Sequence, residues 1–192
     1  MLTSHFTNQF TGDLKISGTD HVGLFCNTMQ AGSSLTATFT SDQGAGKISV
    51  EATESDKDAG GFVGHMEADA SLTVAGTSVS SVASSSGNAG GIVGSSVDGN
   101  VTVKVSEQGT NNFQFADSIT LSSGSDKAAG GLIGSYSIAK AEKNFDLSSY
   151  QFTKSTITGG KNAGGLFGEL ENYKYSRYCW YFCLYFRQYR KF

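Results

Sequence analysis

The sequence predicts an all-β fold: a repeat β-solenoid of the parallel β-helix type, with about five coils and loop excursions. Three observations predict it. A short Gly-Gly-apolar-apolar-Gly core recurs along the chain. Stretches of period-two alternation, rich in Val, Ile, Leu and Thr, flank the cores. The 192 residues include 25 Gly and no Pro, a composition that suits closely stacked backbone with many turns.

The clearest core is Asn88-Ala89-Gly90-Gly91-Ile92-Val93-Gly94. It returns from Asp58 to Gly64, from Ala128 to Gly134 and from Asn162 to Gly168, and a decayed first copy runs from Asp20 to Cys26. Aligned this way, the second glycine falls at positions 23, 61, 91, 131 and 165, with intervals of 38, 30, 40 and 34 residues. Unequal intervals predict a constant coil interrupted by loops of varying length. A phosphate-binding loop would occur once, between a strand and a helix. The repeat is therefore read as structural, carried by Gly23, Gly60, Gly61, Gly64, Gly90, Gly91, Gly94, Gly130, Gly131, Gly134, Gly164, Gly165 and Gly168. These glycines are expected to supply positive φ and close backbone approach.

After the cores, strands are expected at 34–40, 71–74 and 101–105; before the next cores, at 47–51, 78–82, 118–121 and 155–158. Alternation with β-branched residues marks half-buried strands. The unit becomes two or three short strands per repeat, with Ile92 and Val93 helping to fill the interior. One repeat cannot bury its apolar face alone. Stacking at about 4.8 Å hides that face and pairs each strand edge, giving a rod of roughly 25 Å for five coils.

Charge narrows the function classes. Hydrophobic residues make up 38% and charged residues 16%, with a net charge of −3. Residues 171–192 carry five Lys/Arg against one Glu, leaving the first 170 with 9 Lys/Arg against 16 Asp/Glu. An acidic body excludes nucleic acid as a partner, because phosphate contacts need clustered Lys/Arg. Only Cys26 lies in the body, with Cys179 and Cys183 in the tail, so no disulfide framework is expected. No apolar run is long enough for membrane insertion. Residues 1–10 lack the pattern of a signal peptide, so Met1 is expected not to be the natural start. The array is expected to continue, making further repeats of the same chain its first partners.

The glycine cores resemble the GLUG repeat, whose namesake core is GGLVG-like. The resemblance covers about residues 16–170 through five copies. It implies a module of a large bacterial surface protein, extracellular and adhesin-like, with the signal and anchor outside this fragment. The same repeats occur in non-catalytic parts of some immunoglobulin A metallopeptidases. That chemistry is not carried over, because no His-Glu-x-x-His occurs here.

Residues 1–170 are thus one solenoid, and residues 171–192 an aberrant aromatic and basic tail. Gly168 is the last glycine, and Trp180 is the only Trp. Codons for residues 176–180, read one base later, can encode Ala-Gly-Ile-Val-Gly. The tail is accordingly expected to be a frameshifted segment without function of its own. The nucleotide sequence tests this.

Chemical sets were sought along the body. His5, His21 and His65 occupy non-equivalent repeat positions and are read as ordinary surface or strand histidines. Ser137 to Lys140 matches only one of the three penicillin-enzyme fragments. Gly44 to Lys47 lacks the first Gly and the closing Ser/Thr of a phosphate loop. Glu54, Asp56 and Asp58 could form a calcium turn, but equivalent turns do not repeat them. Thr36, Thr38 and Thr40 are similar to the Thr-x-Thr ranks of ice-binding solenoids, on one coil only. No catalytic residues, no metal ligands and no cofactor are therefore expected. The excursion from Tyr136 to Tyr150 is the expected ligand loop, with those two tyrosines as candidate contacts.

The expected function is a non-catalytic stalk or display module. The alternatives are a glycan- or host-binding adhesin module, whose partner would be a host or glycan surface, and a β-helix polysaccharide lyase or hydrolase. The last needs converging carboxylates on one face, which no alignment of the repeats provides.

Overall fold

A computed structural model describes residues 2–8, 13–41, 47–76, 79–103, 119–139 and 155–172. Among these residues there is no helix; 19 strands pair, always in parallel, into four sheets that stack as a β-solenoid. Strand β1 (Leu2–Asn8) leads in. The first coil is β2 (Leu14–Gly18), β3 (Val22–Gly23), β4 (Cys26–Met29) and β5 (Ser34–Ser41). The second is β6 (Ile48–Ala52), β7 (Ala59–Gly60), β8 (Val63–Met66) and β9 (Ser71–Gly76). The third is β10 (Ser81–Ser84), β11 (Ala89–Gly90), β12 (Val93–Val97) and β13 (Asn100–Val103). The fourth contributes β14 (Ile119–Ser122), β15 (Ala128–Gly130) and β16 (Ile133–Ile138), and the fifth β17 (Ser155–Thr158), β18 (Asn162–Gly164) and β19 (Phe167–Asn172).

Three coils thus carry all four strands. Two more show three strands each among the described residues. A full coil holds four strands rather than the expected two or three, because each glycine core itself contains a bend between two short strands. The register is unbroken: Val22, Ala59, Ala89, Ala129 and Ala163 align across the five rungs. The last strand reaches Asn172, pairing with Ile138 of β16, two residues beyond the composition break.

The interior is built of aligned apolar columns. Leu35, Leu72 and Val101 share one register position, and Ile16, Val50, Val82, Leu121 and Ile157 another. Phe62, Val63, Ile92, Val93, Leu132 and Ile133, the apolar pairs of the central cores, are all fully buried. Burying such side chains contributes about 1.5–3 kcal/mol each.

The motif glycines act through close approach. Gly32 and Gly76 are the positive-φ glycines among the described residues, and neither belongs to a core. The expected left-handed backbone is therefore not why the motif repeats. Gly60, Gly90, Gly130 and Gly164 instead lie so near the carbonyl of the residue three ahead that a Cβ would overlap it. Gly64, Gly94, Gly134 and Gly168 face the preceding coil. A Cβ on Gly94 would sit 2.5 Å from Gly64 O and 2.8 Å from Asp58 Cβ. Gly61, Gly91 and Gly131 sit at the bends, each donating its N–H to the neighbouring coil: to Gly90 O, Gly130 O and Gly164 O at 3.0–3.1 Å.

The first copy is corrected by one residue. Gly23 pairs with Gly60, not Gly61, so Leu24 stands at the second-glycine position and His21 stands level with Asp58.

Candidate functional site

Two side-chain columns meet outside the core bend. The residue before each sheet strand β3, β7, β11 or the equivalent forms the first: His21, Asp58, Asn88 and so on. The residue after each closing glycine forms the second: Thr28, His65, Ser95, Ser135 and Glu169 share one register. In the first column His21, Asp58 and Asn88 each accept a backbone N–H from the coil above. Asp58 N donates to His21 Nδ1 at 3.0 Å, Asn88 N to Asp58 Oδ1 at 2.7 Å, and Ala128 N to Asn88 Oδ1 at 3.0 Å. These bonds satisfy N–H groups that would otherwise be orphaned at the start of short strands.

Where both columns carry ionisable groups, they converge. His21, Asp58 and His65 each present one ligand atom, and these atoms all lie within 4.8 Å of one another. His21 Nδ1 is 3.4 Å from Asp58 Oδ2, with the side chains only 20% and 9% exposed. The two imidazoles stack with centroids 5.0 Å apart. Ser95 Oγ donates to Asp58 Oδ2 at 2.5 Å and sits 2.7 Å from His65 Nδ1. Asn88 Nδ2 adds a second bond to Asp58 Oδ1 at 2.9 Å. Burial, followed by the neighbouring His21, holds the His65 pKa below its ordinary 6.5, despite the opposing pull of Asp58 and Glu67. The arrangement can hold a cation: a fixed carboxylate and two imidazoles, one in surroundings that disfavour its protonated form.

The sequence reading missed this cluster. It found no partners for His21 and His65, because a one-residue slip in the first copy moved His21 off the level of Asp58. His21 and His65 do occupy non-equivalent positions, as expected; the two columns simply face each other. The acidic turn does not close on a cation. Asp56 is exposed and pairs with Lys127 at 2.9 Å, while Asp58 turns inward to the cluster.

The expected ligand loop is also corrected. Tyr136 is not on a loop surface but within β16, fully buried, donating its hydroxyl to Gly99 O at 2.7 Å. Its register partner in the coil below is Ser96, whose small side chain leaves room for the ring. Tyr150 lies outside the described residues, as do Lys140, Gly44 to Gly46 and the tail from residue 173. Thr36 aligns with Thr3, Thr73 and, through Thr73, Thr102, and Thr40 with Thr7, but Thr38 pairs with His5 and Ala75, so the neighbouring described strands do not repeat the Thr-x-Thr pattern at that position. Among the described residues no helix is long and apolar enough to cross a membrane. No family model, curated protein or solved structure matches the chain.

Proposed function

We propose that this chain is a non-catalytic stalk or display module of a bacterial cell-surface protein. The observation that carries the reading is the unbroken parallel register of five rungs, in which each coil pairs with the next through three or four strands among the described residues. Such an array sets a length: every added coil extends the axis by about 4.8 Å. One outward run is polar throughout: Lys15, Ser49, Ser81, Thr120 and Thr156 align across the five rungs. The resemblance of the glycine cores to the GLUG repeat supports the surface location. A glycan-binding role loses one of its two proposed contacts with the burial of Tyr136.

Antibodies raised against the solenoid are expected to label intact cells of the bacterium that encodes it, with the label removed by external protease. Labelling only after lysis would refute the surface reading. Saturable binding on an array of host and microbial glycans would replace the stalk with an adhesin module.

A further inference from the structure

We propose that His21, Asp58 and His65 form a binding site for one divalent transition-metal ion of the zinc class, joining the first two coils. The donor set is two imidazoles and a carboxylate, which suits zinc and its neighbours. Calcium takes six to eight oxygen ligands and is disfavoured by such a set. Two of the ligands come from the second coil and one from the first, so a bound ion staples adjacent rungs.

The hydrogen bonding leaves a shortage of protons at this spot. His21 Nδ1 accepts the Asp58 N–H at 3.0 Å, so that nitrogen carries a lone pair. Asp58 Oδ2 lies 3.4 Å from the same nitrogen, so two acceptor atoms stand close together. The one proton of Ser95 goes to Asp58, so Ser95 offers His65 only acceptance. A cation among these atoms relieves the opposition.

The surrounding groups already orient the ligands. Asn88 fixes Asp58 Oδ1 through two bonds, and Ser95 contacts both Asp58 and His65. Such outer contacts are what metal sites use to set ligand direction. The partial exposure of His21 leaves a route for an ion and for a water as the remaining ligand. With zinc bonds of about 2.0–2.1 Å, ligand atoms must close from the present separation of up to 4.8 Å, by small side-chain rotations. The third, fourth and fifth coils carry Asn88 with Ser95, Ala128 with Ser135 and Asn162 with Glu169 at the matching places, so among the described residues the pairing of two imidazoles with a carboxylate occurs here alone.

The test is zinc chloride titration of the full chain at pH 7.5 by calorimetry. One site is expected. His21→Gln, His65→Gln and Asp58→Asn should each weaken it by at least about 100-fold, and Ser95→Ala by about 10- to 100-fold, with His5→Gln unchanged. Unaltered binding in the three ligand variants would overturn the proposal. Circular dichroism checks that each variant folds. Cu²⁺ bound to the unmodified chain supplies an independent readout, with hyperfine splitting from two imidazole nitrogens expected in its paramagnetic resonance spectrum. A Co²⁺ complex dominated by a thiolate charge-transfer band would place the ion on cysteine instead and overturn it. Stabilisation by acid alone, with no saturable metal binding, would show that a proton fills the role and would equally refute the site.

Discussion

The third and fifth coils carry the same core with nearly the same residues, yet the core does different work in each. Ile92 and Val93 are fully buried, whereas Leu166 is 37% exposed and Phe167 only half-buried. A Cβ on Gly61 would overlap the carbonyl of Gly91 in the coil above, whereas among the described residues nothing lies within 4 Å of one on Gly165. The opposite end shows the converse. Asn27 stands where later coils have Gly64 or Gly94, and those glycines face the coil below. The first glycine of each core is thus required by its own bend, in the fifth coil as in the third, whereas Gly61 and the closing glycines are required by a neighbouring rung.

The sharpest break of this comparison is a matched pair of alanines. Gly61→Ala forces backbone apart within the stack and is expected to cost about 4 kcal/mol or more, beyond ordinary overpacking. Gly165→Ala has room and no positive φ. It should be neutral or stabilise by about 0.4–1 kcal/mol, through the unfolded chain. Urea unfolding of the two variants measures the contrast. Equal losses would show that the glycines serve their own bends.

The next pair tests burial. Leu132 is fully buried and Leu166 is 37% exposed at the equivalent position. Leu132→Ala is expected to cost about 3 kcal/mol, and Leu166→Ala about 0.5 kcal/mol or less. Hydrogen exchange should show the fifth coil, whose core residues are the more exposed, opening before the third in the unmodified chain.

These contrasts explain what was legible in the sequence. Alternation around Leu35, Leu72 and Val101 gave away the strands, because a side chain in a stacked coil faces either the interior or water. The glycines gave away the repeat for the right reason in part: close approach holds, positive φ does not. The first core misled by one residue. Its only glycine, Gly23, could align with either glycine of the pair, and the stacking chooses Gly60. That slip hid His21, whose partners lie 37 and 44 residues on in sequence. Tyr136 was readable in principle, since it stands two residues after a closing glycine, as buried Met66 does. Its aromatic character suggested a ligand contact where register dictated a core position.

Tyr136 gives a smaller effect, confined to the middle of the stack. Tyr136→Phe removes the bond to Gly99 O, at about 1.5 kcal/mol. Burial, with Asp98 adding to it, pushes the phenol well above its ordinary 10.0. The folded state therefore keeps a proton that the unfolded chain loses above pH 10. Stability from this group is intact below that value and falls as pH rises past it, by up to about 1.4 kcal/mol per pH unit. Denaturant curves at pH 8 and pH 11 should converge for the wild type and Tyr136→Phe. A gap that stays constant would mean the phenol is not protected.

The smallest effect belongs to the outer surface, where charged side chains bridge coils. Lys127 reaches Asp56, which lies two coils below, at 2.9 Å. The hydrogen bond from Lys127, and then its charge, hold the Asp56 carboxyl below its ordinary 3.8. The stabilisation is therefore present above that value and lost as pH falls through the carboxylate range. Both groups are substantially wet, so salt screens the attraction and the ordering of a long side chain opposes it. Lys127→Met should shift the urea midpoint by less than Leu132→Ala or Tyr136→Phe does, and the shift should vanish at about 1 M salt, where the screening length is about 3 Å. A loss comparable to that of Leu132→Ala, persisting in salt, would mean the coils are held together by their charged exterior as much as by their stacked interior.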